Sequence, residues 1–537
     1  MSESDLYIFD KAMDSKEEPQ AMTSEQRYYL DLNDQNAKNY KNQQLMFDLP
    51  SGSLVDGQVV LEDSVLRIPY QVTATSTTAF GADSIVKQML ALKGNATSIV
   101  DSMQIMIDNR VIRTYSSHSE IPAYFRLISS MSEDYQVVAE SIVNQNLDTG
   151  TGKYTKEFGE HLTGNLAFDQ KSNRITDMND DSGFQDTANI KAKGKSHYVR
   201  SLDGKKLTWN YLLEIPLKHL DELFENKIPP SRGLYLKLDL QIHAGSCTFT
   251  STAQTVSNLS TVTAYGTLPF VVDPDAIEMG THGILAAAGA GVVTIEGGIL
   301  RNTKAAADNP LLGSCQMHLA VYKFRLEEEQ KLMQRKPVDI NYNQVMYQTH
   351  RNVPANTQFN FQISSSSSRP SHLLIHTRLS DVINMSESVR DAGFDNTTNA
   401  IPVGTMASPF STSPMTTKPY SSLTQFQITV GGMPLFVRGP LNVDYDFYVD
   451  NFRSFNSLNA GKDMQDCSGL ISREMWEKNY GFIVIDFKKY ELFANWVAPK
   501  DISISATNNS PNQCDYMFFL AEQRDIKLDT ATGKILI

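Results

Sequence analysis

Three groups of residues in this sequence have types and spacings that chemistry could use. Asp177, Asn179 and Asp181 alternate along the chain as the first three oxygen ligands of a calcium loop do. The glycine of such a loop is displaced to Gly183, and the twelfth position, where a bidentate glutamate belongs, is Ala188. A solvated acidic loop accounts for the pattern, with a loosely held Ca²⁺ as the alternative. His118-Ser119-Glu120 resembles half of an iron or deaminase motif. No second cluster follows it, and Ser117-x-x-Glu120 reads as a helix capping box that already employs the glutamate. His372 and His376 lie four apart on one strand face, where a metal or cupin-like site could use them. They come without an acidic ligand in pattern and read as packing or surface histidines.

Other chemistry is harder to place. GTGKYT at Gly150 lacks the first glycine of a P-loop, because Leu147 stands there. Gly289-Ala290-Gly291 begins a dinucleotide fingerprint but has Thr294 in place of its third glycine. There is no G-x-S-x-G elbow and no H-E-x-x-H. Trp209, Trp476 and Trp496 could build a carbohydrate platform, yet each sits in an apolar segment that suits a core or interface. The expectation is a protein with no catalytic, cofactor-binding or metal-ligating residues.

The elements that would position such residues are mostly strands. Leu66, Ile68, Tyr70 and Val72 alternate with Arg67, Pro69, Gln71 and Thr73, and Leu234 to Ile242 alternates in the same way, so each segment presents one apolar face. Met103, Ile105 and Ile107 lead through Asp108-Asn109 into a return strand. Downstream, Phe359 to Ile363, Phe426 to Val430, Phe482 to Phe487 and Tyr516 to Leu520 read as further strands. Short helices are expected over Ser84 to Lys93 (closed by Gly94), Ile121 to Ser130, Leu217 to Phe224 and Tyr445 to Phe455.

The order of these elements repeats. QQLMFDL matches TQFNFQI, SVLRIPYQV matches SHLLIHTRL, and SMQIMIDNRVIRTY matches TQFQITVGGMPLFV. Each half closes with a strand that opens on a cysteine, Cys315 or Cys514. The chain divides near residue 335, after a linker helix within Leu326 to Pro337. The first half carries about 124 extra residues, which are read as loop insertions at about 137–200 and 246–312. A smaller insertion spans 381–420. The expected organisation is an N-terminal arm (1–38), a first jelly roll (39–335) and a second jelly roll (336–537), an all-β fold of two eight-stranded sandwiches.

Composition agrees with a globular chain. Of 537 residues, 41% are hydrophobic and 20% charged, which excludes a disordered or fibrous protein. The net charge of -13 and an N-terminus without a basic run argue against gripping nucleic acid. The start of the sequence lacks the layout of a secretion signal, and GILAAAGAGVV at Gly283 is too short to span a bilayer. The four cysteines are far apart, without a CxxC, so neither a metal cluster nor a disulfide framework is expected.

Several segments in order resemble one family. IVDSMQIMIDNRVI with SEIPAYFRLISSMSEDYQ, LLEIPLKHLDELFENKIPPSRGLYLKLDLQI, CQMHLAVYKFRLEEEQKLM with VPANTQFNFQISSSSSRPSHLLIHTRLS, and SPFSTSPMTTKPYSSLTQFQITVGGMPLF with GLISREMWEKNYGFIVIDFKK are similar to the double jelly-roll major capsid proteins of polinton-like viruses and virophages. The likeness runs from Asn39 to Leu528. It implies a non-enzymatic subunit of an icosahedral double-stranded DNA virus, made inside a host cell and assembling into pseudo-hexagonal homotrimeric capsomers. The partners it implies are further copies of the chain, with penton and minor capsid proteins, and no cofactor. Direct nucleic-acid binding is not expected. The alternatives are a jelly-roll carbohydrate-binding adhesin or spike and, more remotely, a β-sandwich hydrolase.

Overall fold

In a computed structural model of the chain, most residues between 24 and 536 are described. Residues 1–23, 79–89, 131–197, 252–258, 273–290, 300–313, 381–422, 452–470 and 488–500, with some shorter gaps, lie outside the described residues. The first half begins with β1 (Ser24–Asn33), β2 (Gln44–Leu49), β3 (Gln58–Ser76), β4 (Leu90–Leu92), β5 (Val100–Ile107), β6 (Arg110–Tyr115) and helix α1 (Glu120–Ser130). Next come β7 (Tyr198–Arg200), β8 (Lys206–Pro216), the single turn α2 (Leu217–Leu220) and β9 (Leu236–Ile242). This half ends with β10 (Gly245–Ser251), β11 (Leu259–Gly266), β12 (Phe270–Val272), β13 (Gly291–Ile299) and β14 (Gln316–Phe324). After α3 (Leu326–Met333), the second half opens with β15 (Val338–Val353), β16 (Thr357–Ile363), β17 (Pro370–Leu379), β18 (Leu423–Val430) and β19 (Met433–Pro434). It closes with β20 (Ile483–Asp486), β21 (Ile502–Asn508), β22 (Cys514–Asp529) and β23 (Lys534–Leu536).

Pairing reveals the duplication. In the first half the strands adjoin as β1-β14-β3-β8 and as β2-β9-β5-β6; in the second as β15-β22-β17-β20 and as β16-β21-β18-β19. Taken in chain order, the eight strands of one half therefore occupy the same places as the eight of the other, all antiparallel. That is the strand order of a jelly roll, built twice. The cause is the period-two pattern. β9 buries Leu236, Leu238, Leu240 and Ile242 while its intervening residues stay half-exposed, and β2 buries Leu45, Phe47 and Leu49 in the same way. The inward faces meet across each sandwich. In the second half, Phe359 stacks on Tyr516 at 4.9 Å and Phe361 on Phe518 at 4.7 Å, joining β16 to β22.

The tight turns repeat as well. β5 and β6 are joined by Asp108 (φ 51°) and Asn109 (φ 58°), and β18 and β19 by Gly431 (φ 54°) and Gly432 (φ 83°). Both are two-residue hairpin turns whose twist matches the strands and which need left-handed backbone. Asn109→Val should cost about 1–2 kcal/mol, because a β-branched side chain clashes in that conformation. A urea titration is expected to show a lower midpoint with an unchanged slope.

The structure revises several expectations. Ser24–Asn33, placed in an N-terminal arm, is β1, paired along its length with β14. Its alternation was masked by charged and polar neighbours. Residues 246–312, read as a loop insertion, contain β10, β11, β12 and β13; β13 pairs with β3 and β10, extending the first sheet. These strands are rich in Ser, Thr and Gly, yet Cys247, Val293 and Ile295 still point into the core. Within the expected helix at Ser84 to Lys93, Leu90–Leu92 is strand β4, because β12 offers it an antiparallel partner; residues 84–89 lie outside the described residues. The helix at Leu217 ends after one turn, where Asp221 turns its side chain to accept the Leu223 N–H at 2.7 Å and starts a 3₁₀ turn. Helical structure is present at residues 445–451. The linker helix is α3, held to the first half by Arg232 and Glu329 at 2.9 Å.

Cys315 and Cys514 stand at equivalent points, each just at the start of a central strand and fully buried. Burial pushes both thiols up to about 12. Neither is in a disulfide, nor is Cys247.

Candidate functional site at the seam of the two sandwiches

β6 and α1 of the first sandwich lie against β15, β17 and β22 of the second, and the contact is apolar and polar in turn. Arg113, on β6, is 4% exposed and meets Asp221 at 2.8 Å and Glu222 at 3.0 Å; its guanidinium also donates to the Tyr115 hydroxyl. Lys227 approaches the other Glu222 oxygen at 3.2 Å. Burial by itself would raise the Glu222 carboxyl, but Arg113 and Lys227 outweigh it and hold the group well below the usual carboxylate range. Glu222 then reaches the second sandwich, accepting the backbone N–H and side-chain amide of Asn343 at 3.1 and 3.2 Å. Gln344 donates back to the Thr114 carbonyl at 3.1 Å. Beside this network α1 inserts Phe125 against Phe482, ring centres 5.0 Å apart, and Tyr124 against Tyr480, whose hydroxyls are 3.2 Å apart.

At the start of α1 the chain gathers a second polar group. Glu120 is wholly buried, with one carboxylate oxygen 3.1 Å from His118 Nδ1 and 3.2 Å from His243 Nε2. Asp101, at the start of β5, stands 4.0 Å from His243 Nε2. Burial favours the neutral acid at Glu120; His243 and His118 more than offset that and hold the carboxyl down at about 2. The His118 ring also packs edge-on to Tyr347 of β15, at 5.3 Å, so the cluster borders the seam.

No family model matches the sequence, and no curated protein matches it. Solved structures do. The chain is similar to a chain in the cryo-EM structure of the Sputnik virophage, with 11% identity, a TM-score of 0.51, and 97% of this chain and 90% of that one covered. The strand order above and this superposition over nearly the whole length agree. The chain is a double jelly roll. The mavirus major capsid protein is similar at 12% identity and TM-score 0.47, covering 98% of this chain and 92% of that one. The Faustovirus major capsid protein is similar at 10% identity and TM-score 0.41, covering 96% and 93%.

The double jelly roll distributes the residues singled out by sequence unevenly. His118 and Glu120 are brought together, but the expected capping box does not form. His118 adopts φ 55°, so Ser117 swings away to donate to Asp101 at 2.9 Å, and the helix starts at Glu120, whose carboxylate faces the two imidazoles. Asp101 and His243 were missed: they are 142 residues apart in sequence, and no local spacing links them. His372 and His376 share a face of β17, and His376 is fully buried against Phe482 with ring centres 5.4 Å apart. Trp476 is core: it is 2% exposed, and its indole N–H donates to the Phe482 carbonyl at 2.8 Å, so it builds no carbohydrate platform. Asp177, Asn179, Asp181, Gly150 and Trp496 lie outside the described residues.

The seam also carries a pH dependence. His219, on α2, is 5% exposed; burial first, then Arg126 and Lys218, push its imidazole down to about 3. The folded chain thus keeps His219 neutral where an unfolded chain would protonate it. A base whose folded pKa is depressed contributes stability that is complete above about pH 6.5 and drains away as the pH falls toward 3. At about 1.4 kcal/mol per pH unit, roughly 2 kcal/mol is lost by pH 5. The urea midpoint should therefore fall between pH 7 and pH 5, and fall less in His219→Gln.

Proposed function

We propose that this chain is the major capsid protein of an icosahedral double-stranded DNA virus, acting by self-assembly and without catalysis. The observation that carries the reading is the strand-for-strand duplication: two sandwiches of one topology, fixed side by side through a buried seam. Three such chains around a threefold axis present six near-equal sandwiches, a pseudo-hexagonal tile that can pave a shell. The virophage likeness of the fold and the family resemblance of the sequence support it. On this reading the chain's partners are copies of itself, in the capsomer and beyond it, with penton and minor capsid proteins at specialised positions, and its place is the virion. Its charge of -13 suits a wall that encloses a genome without gripping it.

The domains follow the same reading, with the first sandwich extending to residue 335, the second from 336, and the segment before β1 serving as an arm between capsomers. Removal of residues 1–22 should leave trimers intact and lower the yield of shells in an assembly assay; an unchanged yield would remove the arm. Sedimentation velocity tests the function itself. The full chain should run at three times its 60.0 kDa mass, through contacts burying on the order of 2,000–5,000 Å². A chain that stays monomeric at high concentration would contradict it.

A further inference from the structure

The geometry points to a structural divalent-metal site formed by Asp101, His118, Glu120 and His243, of the kind zinc occupies. The donor atoms of these four side chains all lie within 4.8 Å of one another. Two of the separations, 3.1 Å from His118 Nδ1 and 3.2 Å from His243 Nε2 to the same Glu120 oxygen, are near the edge of a tetrahedron with bonds of about 2.0–2.1 Å, roughly 3.3–3.4 Å. Two imidazoles and two carboxylates, without a thiolate, are a donor set for zinc or a similar first-row divalent ion.

A second observation is independent of the spacing. The other Glu120 oxygen, Oε2, is buried and has no hydrogen-bond partner among the described residues. One divalent cation would match the combined charge of two ligating carboxylates. Neighbouring groups fix the position of two of the ligands. Asp101 accepts the Ser117 hydroxyl at 2.9 Å and the His118 N–H at 3.0 Å. The His243 backbone donates to Ile99 at 2.7 Å and accepts from Tyr70 at 3.0 Å. Asp101, 27% exposed, leaves an entry path.

With all four positions supplied by protein, the site is structural. It joins β5, the turn before α1 and the end of β9, and so sets where α1 begins. Because α1 carries Tyr124 and Phe125 into the second sandwich, a bound metal would stiffen the seam. This inference stands apart from the assembly reading: the metal could bind in a chain that never forms trimers.

The test uses the full chain, stripped with a chelator, dialysed against ZnCl₂ and analysed by elemental mass spectrometry. About one zinc per chain is expected, with a higher thermal midpoint than the stripped chain. Cobalt(II) in place of zinc should give the strong visible bands of a four-coordinate site, which reads the ligand set in the unaltered chain. Asp101→Asn should weaken zinc binding by roughly tenfold or more, while Ser117→Ala, behind the ligand, should weaken it about tenfold. Absence of zinc above background in the unaltered chain after dialysis, or equal zinc content in a folded His118→Ala/His243→Ala variant, would overturn the site.

Discussion

Arg113→Met is expected to lower the folding stability of the chain by about 3–5 kcal/mol, the cost of stranding buried charge when one partner of an ion pair is removed. The guanidinium is almost wholly buried and serves Asp221 at 2.8 Å and Glu222 at 3.0 Å. Methionine fills much of the volume but satisfies neither carboxylate. Lys227 remains beside Glu222, so Asp221 bears most of the loss. Combining Arg113→Met with Asp221→Asn should restore a good part of the stability, because the stranded charge is gone. Urea unfolding of the three proteins checks this. A loss below about 1 kcal/mol in the single variant would mean that the network is as solvated as a surface pair. Because Glu222 also holds Asn343, the variant should also loosen the two sandwiches relative to each other, read as faster amide exchange in β15.

Phe482→Ala is expected to cost a similar 3–5 kcal/mol, from lost burial and the cavity left behind. Its side chain is fully buried where the sandwiches meet, against Phe125 at 5.0 Å and His376 at 5.4 Å. Phe482→Leu should recover more than half of the loss. Chemical denaturation of both variants measures it, and the alanine variant should assemble poorly even where it folds, since the angle between the two sandwiches is no longer fixed. An alanine variant with unchanged stability and normal particles would remove the seam from the account.

The sequence made the duplicated sandwich readable because burial on one face writes itself as alternation. Leu66 to Val72 and Leu234 to Ile242 needed no partner to be recognised, and Asp108-Asn109 marked its own turn. β10 to β13 were unreadable for the opposite reason: Ser, Thr and Gly dominate them, and their apolar residues, such as Cys247 and Ile295, are too few to show a period. β1 was hidden by its charged and polar residues until β14 was seen beside it. The helix expected at Ser84 gave way at Leu90–Leu92 because backbone pairing with β12 outweighs local helix propensity. At the seam, Glu120 carried a local pattern that pointed elsewhere. Ser117-x-x-Glu120 has the spacing of a cap, but the left-handed backbone at His118 turns the glutamate toward residues from β5 and the end of β9. Such a cluster is a product of tertiary structure, and no window of sequence contains it.

The central claim is that two like sandwiches in one chain form a threefold capsomer of near-sixfold outline. Electron microscopy of the purified full chain, with class averages viewed down the particle axis, tests it most directly. The account predicts trimers with a hexagonal outline of six similar lobes, and closed shells tiled by them under assembly conditions. Monomers, or oligomers without threefold symmetry, would contradict it.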